Sequence, residues 1–105
     1  MADAGACVVR KVKDVPKYVI EREIPGIGEW SAEQIQKTSE KSRAVLRELG
    51  PEIQWLTSYV TADKLYCVYI APSLVLIEQH AARGGFPCNR VSMVRAVIDP
   101  TTAER

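Results

Sequence analysis

The hydrophobic pattern of the chain changes several times between the period of a strand and that of a helix. Four segments rich in β-branched and aromatic residues predict strands at residues 18–24, 53–61, 65–71 and about 90–98. The polar segment 61–64 joins the second strand to the third closely enough for a β-hairpin. Pro25-Gly26 ends the first strand, and Asp99-Pro100 ends the last.

A helix is predicted after the first strand. Ser31 and Gln34 form a capping box, in which each side chain bonds the backbone of the other residue and marks a helix start. The helix should end at Gly50-Pro51, with the glycine in the left-handed conformation. Positions spaced by three, four and seven residues predict its buried face, which comprises Ile35, Ser42, Val45, Leu46 and Leu49.

A second helix is predicted from its cap at Ser73 through Arg83, and Gly84-Gly85 should stop it. The resulting order βαββαβ is typical of a ferredoxin-like α+β fold, a four-stranded antiparallel sheet with two helices on one face. Residues 17–105 are predicted to form this single domain. Residues 1–16 lack a clear period, so they are predicted to be a flexible N-terminal extension.

Alternation within the strands predicts which side chains face the helices. That side is assigned to Tyr18, Ile20, Ile24, Leu56, Val60, Tyr66, Val68 and Ile70. The opposite, uncovered face is predicted to carry a ligand pocket made of Glu21, Glu23, Trp55, Tyr59 and Tyr69. An aromatic face is expected to enclose a ligand or to be covered by a second copy. Since the second helix also begins with Leu74-Val75-Leu76-Ile77, apolar on every side, we expect a homodimer.

Composition and charge narrow the expected partners. With 14 basic and 13 acidic residues and a net charge of +1, the chain is expected to bind no nucleic acid. The sequence contains neither an apolar run of about 20 residues nor a signal peptide, so we expect no membrane partner. The three cysteines include no CxxC pair, so the sequence supports neither a zinc ribbon nor a thioredoxin-like site. Their odd number and wide spacing favour a reduced, cytoplasmic setting.

The candidate chemistry lies in residues 80–90. His80, the only histidine, falls near the end of the second predicted helix, where an imidazolium interacts favourably with the helix C-terminus. As a neutral imidazole it would instead suit nickel, copper or zinc. Cys88 at a strand start could act as a soft ligand or a redox nucleophile. His80 and Cys88 are thus the predicted metal ligands, with further donors from Glu21, Glu23 or a second subunit.

The chain resembles the DUF4242 family of small bacterial proteins, some of which are described as nickel-responsive or nickel-binding. The resemblance covers about residues 17–103. It rests on Tyr18-Val19-Ile20-Glu21-Arg22-Glu23 with Pro25-Gly26, on Tyr66-Cys67-Val68-Tyr69-Ile70-Ala71-Pro72, and on His80 through Arg90. It implies a ferredoxin-like fold, dimers and no established general activity, with the nickel association confined to a subset of members.

Two functions from different classes follow. The first is a small dimeric binding protein that holds a divalent metal such as nickel, or a small ligand, at or near the subunit boundary. The alternative is a cofactor-free enzyme, oxygenase- or isomerase-like, with Glu21 or Tyr59 at the end of a pocket on the open sheet face. The first predicts stoichiometric metal that His80→Ala removes. The second predicts an enclosed pocket whose chemistry does not depend on His80.

Overall fold

A computed structural model describes residues 16–104 of the chain. In chain order the elements are β1 (Lys17–Glu23), α1 (Ala32–Leu49), β2 (Gln54–Val60), β3 (Lys64–Ile70), α2 (Leu74–Gly84) and β4 (Arg90–Met93). Two short 3₁₀ helices, which the sequence did not predict, lie at Ile27–Glu29 and Pro100–Glu104. The predicted N-terminal extension lies outside the described residues except for Pro16, whose carbonyl accepts a hydrogen bond from the Ala71 amide at 3.1 Å.

The strands form one antiparallel sheet in the order β2-β3-β1-β4. β3 lies between β1 and β2, the strands that α1 connects, and β1 lies between β3 and β4, the strands that α2 connects. The predicted ferredoxin-like α+β fold is therefore confirmed. Both helices pack on one sheet face, where Ile77 of α2 and Leu46 of α1 join the core. Neither helix of the described part is long and apolar enough to cross a membrane.

Strand pairing decides which residues of β3 face the helices. Ile20 is paired with Cys67, and Tyr18 is paired with Tyr69. Paired residues project to the same side of a sheet, so Cys67 and Tyr69 lie in the core with their partners, and both are buried. The prediction that Tyr66, Val68 and Ile70 form the core side of β3 is wrong. Both phases of this strand are apolar or aromatic, so alternation alone could not decide between them.

A β-bulge at Leu56 changes the phase of β2. Trp55 is paired with Tyr69 on the helix side, whereas Thr57 is paired with Val68 on the open side. The ring of Trp55 is stacked with that of Tyr69 at a centroid distance of 6.5 Å. The predicted outward orientation of Trp55 is therefore wrong. An extra residue in one strand breaks the alternation on which that prediction rested.

The helix ends agree with the predicted caps in part. Ser31 Oγ accepts from the Gln34 amide at 3.1 Å, and Gln34 Oε1 accepts from the Ser31 amide at 2.8 Å, which confirms the capping box. Gly50 has φ 100° and ψ 177°, so it is not in the predicted left-handed helical conformation. Ser73 precedes α2 but makes no capping hydrogen bond through its side chain. The predicted stop at Gly84-Gly85 is formed by Gly85, which is in the left-handed conformation at φ 70° and ψ 26°.

β4 ends at Met93 instead of continuing to Ile98. The Val94 amide donates to the Lys17 carbonyl at 2.8 Å, and Lys17 is the first residue of β1. Beyond this point β1 offers no further residue for pairing, so the ladder stops. Val97 and Ile98, which were predicted to continue the strand, are among the most exposed large hydrophobic residues of the described chain.

Candidate functional site

A cavity of about 410 Å³ lies between α1 and the helix side of the sheet. Its walls are largely apolar and aromatic, and they include Trp30, Ile35, Trp55, Leu65, Tyr69 and Phe86. The sequence contains two tryptophans, and both line this cavity. Small-molecule sites are typically concave and mostly apolar, with a few polar groups that fix the orientation of the ligand.

His80 on α2 and Ser42 on α1 supply two of those polar groups. Ser42 Oγ and His80 Nε2 are 3.0 Å apart, and both residues are buried. The imidazole lies beside the rings of Tyr69 and Phe86, at centroid distances of 5.1 and 5.2 Å. Burial, and secondarily the positive charge of Arg22, lower the pKa of His80 to about 4. The imidazole is therefore neutral at pH 7, and it is not the cation that a helix C-terminus would favour.

Tyr69 adds a phenol to this cluster. Burial raises the pKa of the Tyr69 hydroxyl, and hydrogen bonding to Ser42 and Arg22 opposes that rise in part. The hydroxyl is consequently protonated at neutral pH and available as a hydrogen-bond donor.

Arg22 places a permanent positive charge in the cluster. It follows Tyr18 and Ile20 on the same face of β1 and is only 2% exposed. Its Nη1 donates to the Pro87 carbonyl at 2.6 Å, and its guanidinium lies 5.5 Å from the centroid of the Phe86 ring. The ion pairs found among residues 16–104 join other side chains. A buried cation without a carboxylate partner is unusual, because removing a charge from water costs several kcal/mol.

Arg22 is not among the site residues predicted from the sequence. Its position two residues after Ile20 was the signal that could have found it, because alternation places both residues on the same sheet face. Ser42, in contrast, was assigned correctly to the buried face of α1.

The turn after α2 positions the Phe86 ring beside His80. The Phe86 amide donates to the Ala81 carbonyl at 2.9 Å. A Cβ atom on Gly84 would overlap with the Phe86 ring. Gly84 is thus required for this close approach, whereas Gly85 alone ends the helix.

The residues of the predicted ligand pocket are divided between the two sheet faces. Trp55 and Tyr69 line the cavity on the helix side. Glu21, Glu23 and Tyr59 belong to the opposite phase of their strands, on the open face. There Glu21 Oε2 accepts from Lys64 Nζ at 3.3 Å, and this hydrogen bond is the main cause that raises the pKa of Lys64. The five residues therefore do not surround one pocket of a single chain.

His80 and Cys88, the predicted metal ligands, have different environments. His80 is 1% exposed and hydrogen-bonded to Ser42, whereas Cys88 is exposed in the turn that precedes β4. Nowhere in residues 16–104 do three or more histidine, cysteine, aspartate or glutamate side chains come together as a metal site. Nickel is usually held by several such donors, so the described residues of one chain do not fit a complete nickel site. The His80–Cys88 pair stays a prediction.

The sequence and the fold are both similar to those of known proteins. A family model described as "Nickel responsive protein SCO4226-like" matches residues 18–94, which is more than half of the chain. The crystal structure of SCO4226 from Streptomyces coelicolor A3(2) matches this fold with a TM-score of 0.66 and 14% sequence identity. That match covers 78% of this chain and 99% of the other. At this identity it concerns the fold alone. No curated protein matches the sequence significantly.

Proposed function

This chain belongs to the SCO4226-like family of nickel responsive proteins, and we propose that it is a small non-enzymatic binding protein. The proposed ligand is a small organic molecule in the cavity between α1 and the sheet. The observation that carries the proposal is the cavity itself, about 410 Å³ in volume, with two tryptophans in its walls and polar groups from β1, α1 and α2.

Binding is favoured over catalysis by the state of His80. Ser42 and His80 are within hydrogen-bond distance, as a nucleophile and its base would be. However, an imidazole with a pKa of about 4 is a weak base at neutral pH. Among the described residues, no carboxylate bonds this imidazole or lies close enough to orient it. The pair is better suited to holding the two helices together than to proton transfer.

The proposal is tested by titrating the protein with phenylacetate and with phenylacetamide, an anionic and a neutral aromatic probe. Tryptophan fluorescence reports directly on the cavity, because both tryptophans line it. We expect a saturable change in fluorescence and a higher melting temperature with at least one probe, since a ligand that binds only the folded state stabilises it.

Two variants of α1 show whether the response comes from the cavity. Ser39 is part of the cavity wall, so Ser39→Phe should fill the space and abolish the response. Lys37, with its side chain 73% exposed on the same helix, provides the matched control Lys37→Phe, which should respond as the wild type does. A folded wild-type protein that responds to neither probe would overturn the proposal.

A homodimer is part of the proposal. The open sheet face consists of Val19, Glu21, Thr57, Tyr59, Tyr66, Val68, Ile70 and their neighbours of the same phase. Tyr59 is 61% exposed although it sits in a strand, directly opposite Tyr66. A second copy of this face is the proposed cover, because contiguous exposed apolar area is typical of association surfaces.

Nickel is the second candidate ligand, and its support is the description of the family. Cys88 is the more accessible of the two predicted donors, because it is exposed while His80 is buried. A nickel site with three or more histidine, cysteine, aspartate or glutamate donors would need some of them from beyond residues 16–104 of one chain, a second copy included, because the described residues do not form such a group.

Two further expectations remain proposals. A cytoplasmic setting is supported by Cys67 and Cys88, which are both free thiols. The alternative of a cofactor-free enzyme on the open sheet face would use Glu21 or Tyr59. Turnover that survives Ser39→Phe but not Tyr59→Phe would favour that enzyme over the cavity-binding protein.

A further inference from the structure

We propose that the cavity selects a small organic monoanion, a carboxylate with an apolar or aromatic body, and that its carboxylate pairs with Arg22. This inference rests on the proposed function of the cavity as a ligand site. It adds the chemical class of the ligand and the residue that recognises it.

The first support is the charge of Arg22. A guanidinium carries five N–H donors in a planar fork; one donates to the Pro87 carbonyl, and another bonds the Tyr69 hydroxyl. The Phe86 ring stabilises one face of the group through a cation–π contact. The positive charge itself has no carboxylate partner among the described residues, although Arg22 is almost fully buried and lines the cavity. A bound carboxylate would neutralise this charge and could accept two parallel hydrogen bonds.

The second support is the charge of the cavity walls. Among the cavity-lining residues within 16–104, Arg22 is the only charged one, since His80 is neutral and no aspartate or glutamate of that range takes part. An anion in this space therefore meets no competing negative charge. A cationic ligand would meet the guanidinium and find no counter-charge.

The neighbours of Arg22 also suit a carboxylate. The Tyr69 phenol is protonated, and the Ser42 hydroxyl can rotate to donate. Both groups lie close enough to Arg22 and His80 to form one polar cluster at the cavity wall. The ligand can thus receive neutral hydrogen bonds in addition to the ion pair.

The rest of the lining determines the body and the charge of the ligand. Trp30, Trp55 and Leu65 offer apolar surface in the same cavity, which suits an aromatic ring or an alkyl chain. A dianion such as a phosphate monoester would require a second cation, and the described part of the lining contains none. This is why a monoanion is favoured.

The test compares phenylacetate with phenylacetamide, which have nearly the same shape but different charge. In the wild-type protein we expect phenylacetate to bind at least about tenfold more tightly, as measured by tryptophan fluorescence. Arg22→Met keeps an unbranched side chain in the core and removes the charge, so it should abolish the preference. Arg22→Lys should keep part of it, because a single ammonium retains the charge without the fork.

The outcomes separate this inference from the proposed function. Equal binding of the two probes by the wild type, or an unchanged preference in folded Arg22→Met, would overturn the anion inference and leave the cavity as a binding site. Failure of both probes to bind the wild type would overturn both. Should Arg22→Met fail to fold, the wild-type comparison of the two probes decides alone.

Discussion

Ser42 and His80, 38 positions apart in the sequence, join α1 to α2 through a buried hydrogen bond of 3.0 Å between Oγ and Nε2. Both residues also line the cavity. The bond therefore does two things: it fixes the separation of the helices, and it holds the imidazole in place next to Tyr69. Its loss should affect both the stability of the fold and the shape of the site.

Ser42→Ala should lower the free energy of unfolding by about 1–3 kcal/mol, because the buried imidazole nitrogen loses its partner. Urea unfolding monitored by circular dichroism measures the change. Ser39→Ala is the matched control on the same helix: Ser39 Oγ bonds the Ile35 carbonyl within α1, a contact of small energetic value. Equal destabilisation by the two substitutions would contradict a special role for the Ser42–His80 bond.

Stability should fall as the pH is lowered from about 6.5 to about 4. His80 takes up a proton near pH 6.5 when the chain is unfolded but only near pH 4 in the folded protein. Between these values the unfolded state binds more protons, so acid favours unfolding, by at most ~1.4 kcal/mol per pH unit. Above pH 6.5 His80 makes no such contribution.

Carboxylates titrate in an overlapping pH range and also change the free energy of unfolding. His80→Gln keeps these carboxylates, so the difference between the wild type and this variant isolates the contribution of His80. Urea unfolding at a series of pH values gives the free energy of unfolding for each protein. The wild-type curve should be steeper than that of the variant in this range. Parallel curves would show that His80 does not carry the effect.

Gly84→Ala should destabilise the protein by about 1–3 kcal/mol, because the new methyl group would overlap with the Phe86 ring. Phe86→Leu removes the ring atoms that cause the overlap. The double variant Gly84→Ala with Phe86→Leu should therefore be more stable than the sum of the two single effects implies. Strict additivity in thermal or urea unfolding would mean that the cost of alanine has another origin.

Tyr59→Arg should convert the proposed dimer into a monomer, because it places charge on the open sheet face. Val75→Arg serves as the comparison on α2, since Val75 is 56% exposed and Tyr59 61%. Light scattering gives the molecular mass of each protein. A wild type that is monomeric at every concentration would contradict the proposed dimer. Dissociation by Val75→Arg but not by Tyr59→Arg would show that the dimer interface lies on α2.

For nickel, the two predicted donors should differ in importance. Cys88→Ser should weaken nickel binding more than His80→Gln, since the thiol is exposed and the imidazole is buried against Ser42. Isothermal titration with nickel chloride ranks the three proteins. The reverse order would show that the Ser42–His80 bond opens to admit the metal, and no heat of binding in the wild type would remove nickel as a ligand.

The order of the elements could be predicted because its signals are local. The capping box at Ser31, the glycines that follow each helix and the polar hairpin connection each lie within a few residues. The faces of β2 and β3 could not be predicted in the same way. β3 is apolar in both phases, so its partner β1 decides its orientation, and the bulge at Leu56 is visible only once the strands are paired.

The candidate site was harder to predict because it depends on contacts between distant segments. Alternation alone places Arg22 on the buried face with Ile20, whereas the charge of an arginine favours a solvent-exposed position. The side chain is buried because it contacts Pro87 and Phe86, which lie more than sixty positions away in the sequence. His80, which the sequence singles out, lines the cavity, but its hydrogen-bond partner Ser42 comes from the other helix.

The placement of His80 beside two aromatic rings has a spectroscopic consequence. Ring currents of Tyr69 and Phe86, whose centroids lie 5.1 and 5.2 Å from that of the imidazole, should displace its carbon-bound proton resonances from those of free histidine. The chain has one histidine, so these resonances cannot be confused with those of another histidine. A single pair of proton signals can therefore follow protonation, helix separation and occupancy of the cavity in an unmodified protein.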